Sequence, residues 1–221
     1  MINNRLLAIA NLINDNPISV IDVGSDHAYL SIYLIQNQIC QKVINVEVNQ
    51  QPLLNGLNNV KKANLESYID FKLNNGLLNL DLNQKTDYVT ISGMGASSII
   101  DIISNNTHQK PSYYVVQANN DVNKLRQFLK ENNYEIDNEL VVEDNGIYYE
   151  VLKFHQSDKT NILNDVDIFI GPINKNSRND NLFNYLLNKK NHISKMNLDK
   201  IKDVLKNEYK VLLEFLSQYS E

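Results

Sequence analysis

Along the first 156 residues, short β-branched runs alternate with longer stretches whose apolar positions follow helical spacing. Residues 18–23 are largely apolar and end at Gly24, the pattern of a buried parallel strand. Residues 27–37 then place Ala28, Ile32 and Ile35 on one helical face. A second strand is expected over 43–48, and a helix over 50–63 with Leu53, Leu57 and Val60 aligned. Strands follow at 68–73, 88–91 and 113–117. The spacing predicts helices over 96–103 and 122–129, the latter turning Val122, Leu125 and Leu129 inward.

The rhythm then changes. Runs 140–142 and 147–154 flank Asp144-Asn145-Gly146, and Asn-Gly between two apolar runs is a strong hairpin signal. Beyond about 157 no strand pattern remains. Gly171-Pro172 makes a break before helical stretches over 180–196 and 198–216. Leu182, Leu186, Ile193 and Met196, then Leu198, Ile201, Leu205, Leu212 and Phe215, follow heptad-like spacing. This suggests an antiparallel helical hairpin joined near Asn197. Strand–helix units closed by an antiparallel hairpin give an α/β fold: the Rossmann-like sheet of a class I methyltransferase, parallel except for its C-terminal hairpin strand. A nicotinamide-binding domain would usually end in another parallel strand. The expected organisation is a catalytic domain over 1–156 and a helical, coiled-coil-like extension over 157–221. That extension is a partner-binding arm or only a cover for core surface.

At 221 residues, 43% hydrophobic and 21% charged, the chain matches one globular domain with an appendage. Its net charge of −5 gives no reason by itself to expect nucleic acid, but residues 178–210 carry 8 Lys/Arg against 4 Asp/Glu. The single cysteine, Cys40, excludes an intrachain disulfide and has no basic neighbour to activate it. The four histidines lack metal-ligand spacing, His108, His155 and His192 reading as surface residues, so no metal is expected. No apolar run reaches membrane-spanning length and no signal-peptide pattern opens the chain, so a cytoplasmic monomer without membrane contact is expected.

Four turns carry the candidate chemistry. Asp22-Val23-Gly24-Ser25-Asp26-His27 joins a strand to a helix, where backbone N–H groups meet a ligand, Gly24 permits close approach and Ser25 is a candidate cap. Asp26 and Ala28 stand where a dinucleotide turn wants glycines. Asp22 and Asp26 would repel a diphosphate but suit a sulfonium and its amino group. Glu47, beside Val48 at the end of the second strand, suits the hydroxyls of an adenosine ribose, a feature NAD domains share. Asn75-Gly76 follows the third strand, and Asn75 suits an adenine edge. Gly93-Met94-Gly95 follows the fourth and leaves an open rim.

The stretch Asp22-Val-Gly-Ser-Asp-His-Ala-Tyr-Leu30 resembles the D-I-G-S-D-H-A-Y-L-P signature of the bacterial tRNA (adenine-22 N1)-methyltransferases, the TrmK family. The likeness continues through Val46-Glu47-Val48, Asn75-Gly76-Leu77, Gly93-Met94-Gly95, Gln117-Ala-Asn119, Leu125-Arg126 and Tyr149-Glu150-Val151. Ser31 and Ala118 replace prolines of the family pattern, Ala96 replaces a glycine and Asn75 replaces an aspartate. The resemblance implies S-adenosylmethionine as cofactor, tRNA as partner, N1 of adenine 22 as target and a helical region that helps hold tRNA.

A sulfonium methyl is already electrophilic and adenine N1 has a free lone pair, so alignment matters more than proton removal. Asp26 and His27 are candidates to stabilise the base as it becomes cationic, with Tyr29 stacking on a base turned out of its helix. Lys189, Lys190 and Lys195, with Arg5 and Arg126 as weaker candidates, are expected to meet phosphates. The competing readings are a small-molecule methyltransferase whose tail is a lid or dimer contact, a nicotinamide-dependent oxidoreductase, and a non-catalytic RNA-binding module.

Overall fold

The computed structural model describes residues 2–220 apart from 81–85, 107–109, 161 and 198. Seven strands form one sheet: β1 (Ser19–Val23), β2 (Lys42–Glu47), β3 (Ile69–Leu73), β4 (Tyr88–Met94), β5 (Tyr113–Ala118), β6 (Tyr134–Asp144) and β7 (Ile147–Gln156). Their order is β3-β2-β1-β4-β5-β7-β6, with β1–β5 parallel and β7 antiparallel to both neighbours. The Asn145-Gly146 turn closes the hairpin with both residues at positive φ, +53° and +80°.

Successive strand residues feed opposite faces, as a period of two requires. On one face Val20, Val43, Val115 and Val151 pack under α1 (Asn4–Asn11), α2 (Tyr29–Gln36) and α3 (Gln50–Lys62). On the other, Ile21, Val46, Val89 and Ile91 pack under α4 (Ala96–Ser104) and α5 (Val122–Glu131). α1 has no counterpart in the predicted elements. It is capped by Asn3, whose side chain accepts from Leu6 N at 3.0 Å, and it buries Ala8, Ile9 and Ala10.

After β7 the chain makes α6 (Asp165–Phe169), started by a capping box between Asn164 and Asp167, then α7 (Asp180–Ser194) and α8 (Asp203–Ser217). α7 and α8 run antiparallel: Lys189 meets Glu208 at 2.6 Å mid-helix, and Tyr219, just past α8, donates to Ser177 O before α7. The link between them, 195–202, is longer than a single residue; Leu198, like His108, lies outside the described residues. The pair buries Leu182, Leu186, Ile193, Val211, Leu212 and Leu216 in the same apolar cluster as Ile91, Leu125 and Leu152 of the sheet layer. That stripe is wider than a heptad seam because it faces the sheet as well as the partner helix. The expected coiled-coil-like arm is therefore, among the described residues, a helical pair seated on the core.

Arg126 requires a correction. Expected as a phosphate contact, it is fully buried, its guanidinium donating to Glu139 at 2.8 Å and to Glu150. Two anionic partners outweigh desolvation and hold its pKa above the usual range. It cannot reach a nucleic acid.

Candidate functional site

The strand order reverses between β1 and β4, and ligands of open α/β sheets bind outside the strand ends at such a point. Two cavities meet there at Gly24, one of about 420 Å³ and one of about 400 Å³. Gly24 has φ +75°, a backbone conformation that favours glycine, and a Cβ there would press only on Met94 Cε, the free end of a flexible side chain. Asp26 and Ala28 also take positive φ, +47° and +58°.

The first cavity is walled by Glu47 at the end of β2 and Val48 just past it, by Asn75 and Gly76 after β3, and by Met94. Glu47 holds the turn itself: one carboxylate oxygen accepts the Asp26 N–H and, at 3.4 Å, the Ser25 hydroxyl. Burial pushes its pKa up, and the N–H of Asp26 counters this. Its lining contains Glu47 and Asp101 but no lysine or arginine among the described residues. Acceptors without cations suit the hydroxyls and amino group of a nucleoside and disfavour a diphosphate.

The second cavity is walled by Arg5, Asp22, Ser25, Asp26, His27, Tyr29 and Gly93. Asp22 is buried, and desolvation pushes its carboxyl up to about 6 despite hydrogen bonds from Thr90 at 2.7 Å and Ser31 at 3.4 Å. Ser31, in place of the family's proline, lies fully buried between Asp22 and Asn45, 2.5 Å from the latter. It sits in the first turn of α2, where either residue is tolerated. His27 and Tyr29 stack with centroids 5.3 Å apart, and His27 Nε2 lies 3.5 Å from Asp26. Tyr29 is half exposed, leaving a ring face for a planar guest.

A family model described as tRNA (adenine(22)-N(1))-methyltransferase, TrmK, matches residues 20–221. The chain belongs to the TrmK family. It is 27% identical over 172 residues to the tRNA (adenine(22)-N(1))-methyltransferase of Bacillus subtilis, covering 77% of this chain and 71% of that one. The TrmK of M. capricolum, solved with S-adenosyl-homocysteine, superposes with a TM-score of 0.84 at 31% identity over 98% of both chains. A Streptococcus pneumoniae protein solved with S-adenosyl-L-methionine gives 0.87 at 26% identity, covering 98% of this chain and 100% of that one. As a TrmK, this chain is an S-adenosylmethionine-dependent tRNA (adenine-N1)-methyltransferase.

This TrmK chain brings Asp22, Gly24, Ser25, Asp26, His27, Glu47, Val48, Asn75, Gly76, Gly93 and Met94 to the two cavities. Gly95 lines neither; it caps α4. Arg5 turns inward to Gln117 at 2.7 Å and belongs to the site wall. Sequence reasoning gave Thr90, Gln117 and Asn119 no role. Only the repeated Gln117-Ala-Asn119 likeness hinted at the last two, because a polar strand end is legible while its target is not. No group of three or more His, Cys, Asp or Glu side chains that could hold a metal occurs among the described residues, and none of their helices is long and apolar enough to cross a membrane.

Proposed function

We propose that this chain methylates N1 of adenine 22 in tRNA, with the nucleoside half of its cofactor in the first cavity and the target base entering through the second. Supporting this division is the meeting of the cavities at Gly24, which lines both. Glu47 would receive ribose hydroxyls, Asn75 the adenine edge, and Asp22 the cationic end of the cofactor. Asn75 accepts from an amino group as the family's aspartate does, with less charge. The bound cofactor supplies an electrophilic methyl group.

The protein's task is alignment. Tyr29, backed by His27, offers a stacking face for an adenine out of its helix. Asp26, beside His27 in the second cavity, would offset the positive charge the base gains. No proton has to leave N1 before attack, so no general base is assigned. Residues 1–156 carry this chemistry, and residues 157–221 hold the tRNA. Lys195 is exposed and Lys190 half exposed on the α7 end, whereas Lys189 is engaged by Glu208. A cytoplasmic monomer acting on tRNA completes the reading.

Incubation with unmodified tRNA and labelled S-adenosylmethionine, followed by mass-spectrometric mapping, tests it. Label at N1 of adenine 22 is expected. Label confined to a small molecule, or to another nucleotide, overturns it.

A further inference from the structure

At Gly93 the sheet loses its ladder. Its φ of +76° throws β4 out of register with β5 between Ser92 and Met94, so its N–H and C=O need other partners. Side chains supply both. Gln117 Oε1 accepts the Gly93 N–H at 3.1 Å, and Asn119 Nδ2 donates to Gly93 O at 2.8 Å. Gln117 Nε2 donates to Asn119 Oδ1 at 3.0 Å, which links the two amides.

Gln117 is fully buried, so the way round its amide lies decides whether the rim is held. Arg5 decides it. Arginine has donors only, and its Nη1 lies 2.7 Å from Gln117 Oε1, so the opposite orientation would face donor to donor. The guanidinium lies against the bare Cα of Gly93, 3.3 Å from where a Cβ would stand, and over the Tyr149 ring at 5.7 Å.

We infer that Arg5 is a positioning residue for methyl transfer: through Gln117 it sets the Gly93 rim on the acceptor side of the site. α1, which precedes the stretch matched by the family model, thus completes the site. The inference rests on the proposed placement of the base. The amide exchange of Gly93 is read without substrate, so the two can fail separately.

The full chain is compared with Arg5→Ala, Arg5→Lys, Gln117→Leu and the Arg5→Ala/Gln117→Leu pair. Three quantities are read: kcat on tRNA, cofactor affinity by calorimetry, and hydrogen exchange at Gly93. Arg5→Ala is expected to lower kcat about tenfold to a hundredfold, the scale of a small misplacement, with cofactor affinity unchanged. Exchange at Gly93 should quicken, Arg5→Lys should recover part of kcat, and the double variant should be no worse than Gln117→Leu. Cofactor affinity falling in step with kcat would make Arg5 a cofactor ligand and overturn the inference. So would multiplying effects in the double variant, or unchanged exchange at Gly93. If the wild type leaves tRNA unmethylated, the proposed function fails, and exchange at Gly93 still judges the role of Arg5.

Discussion

The Tyr185 hydroxyl of α7 donates to the Glu150 carboxylate of β7 at 2.7 Å, through the oxygen that Arg126 leaves free. Burial beside that carboxylate raises the phenol's pKa well above its usual value, so it stays a donor. Tyr185→Phe removes one hydrogen bond and should cost about 1 kcal/mol. Arg126→Met leaves two carboxylates buried without their cation and should cost about 3–5 kcal/mol. Urea titrations read both. An unshifted midpoint for Arg126→Met, with tRNA affinity lost, would restore it as a nucleic-acid contact.

Asp22 should make cofactor binding depend on pH. Its folded pKa of about 6 exceeds the ordinary 3.8, so the folded chain binds this proton more tightly than the unfolded one. The stability it contributes is present below the ordinary value and is lost as pH rises through about 6. Cation binding runs the other way, because only the ionised carboxylate attracts it. Cofactor affinity should therefore weaken as pH falls below about 6, and Asp22→Asn should bind weakly with a flatter profile. Calorimetry across this range checks the slope; equal slopes in both proteins would remove Asp22 from the cofactor's charged end.

Gly24→Ala combines an unfavourable positive φ with the collision at Met94 Cε. The backbone strain is about 1 kcal/mol, modest enough for the fold to survive. Strain in the turn and displacement of the Met94 tip into the junction should cost cofactor binding about tenfold, or ~1.4 kcal/mol. A folded Gly24→Ala with wild-type affinity would mean that the cofactor does not lie across this turn.

Salt dependence separates the lysines. Lys190→Ala and Lys195→Ala should each lower the slope of log affinity for tRNA against log salt by about 0.7–0.9, the release of one phosphate's counterion. Lys189→Ala should do less, because its ammonium already meets Glu208 at 2.6 Å and lies over the Tyr185 ring. Filter binding at graded salt measures this, and an unchanged slope in all three would move the tRNA contact elsewhere.

The parallel strands were legible because Val20, Ile21, Val43, Val46, Val89 and Ile91 are buried on one face or the other of a covered sheet. The first half of β6 was not. Glu139 points inward where alternation asks for an apolar residue, and the register slips between Ile136 and Asn138. Arg126 was misread for the same reason: its partners come from strands 13 and 24 residues away, and no local pattern announces them. In the site, the Gly24 turn and Glu47 could be read because strand ends and glycines have local signatures. The Gly93 clamp could not, since Gln117 and Arg5 are 112 residues apart.

Glu139 also accepts the N–H groups of Ile173 and Asn174, at 2.9 and 3.0 Å, just past Gly171, which has φ +114° and where a Cβ would overlap that carboxylate. The corner leading to the last helices is thus moored to the same buried cluster as Arg126 and Glu150. Helices and sheet should then melt in one cooperative transition, and a protease cutting after β7 would release an unfolding enzyme instead of a trimmed one. The outer lysines can change without touching this mooring, whereas the attachment of those helices is bound to the survival of the fold.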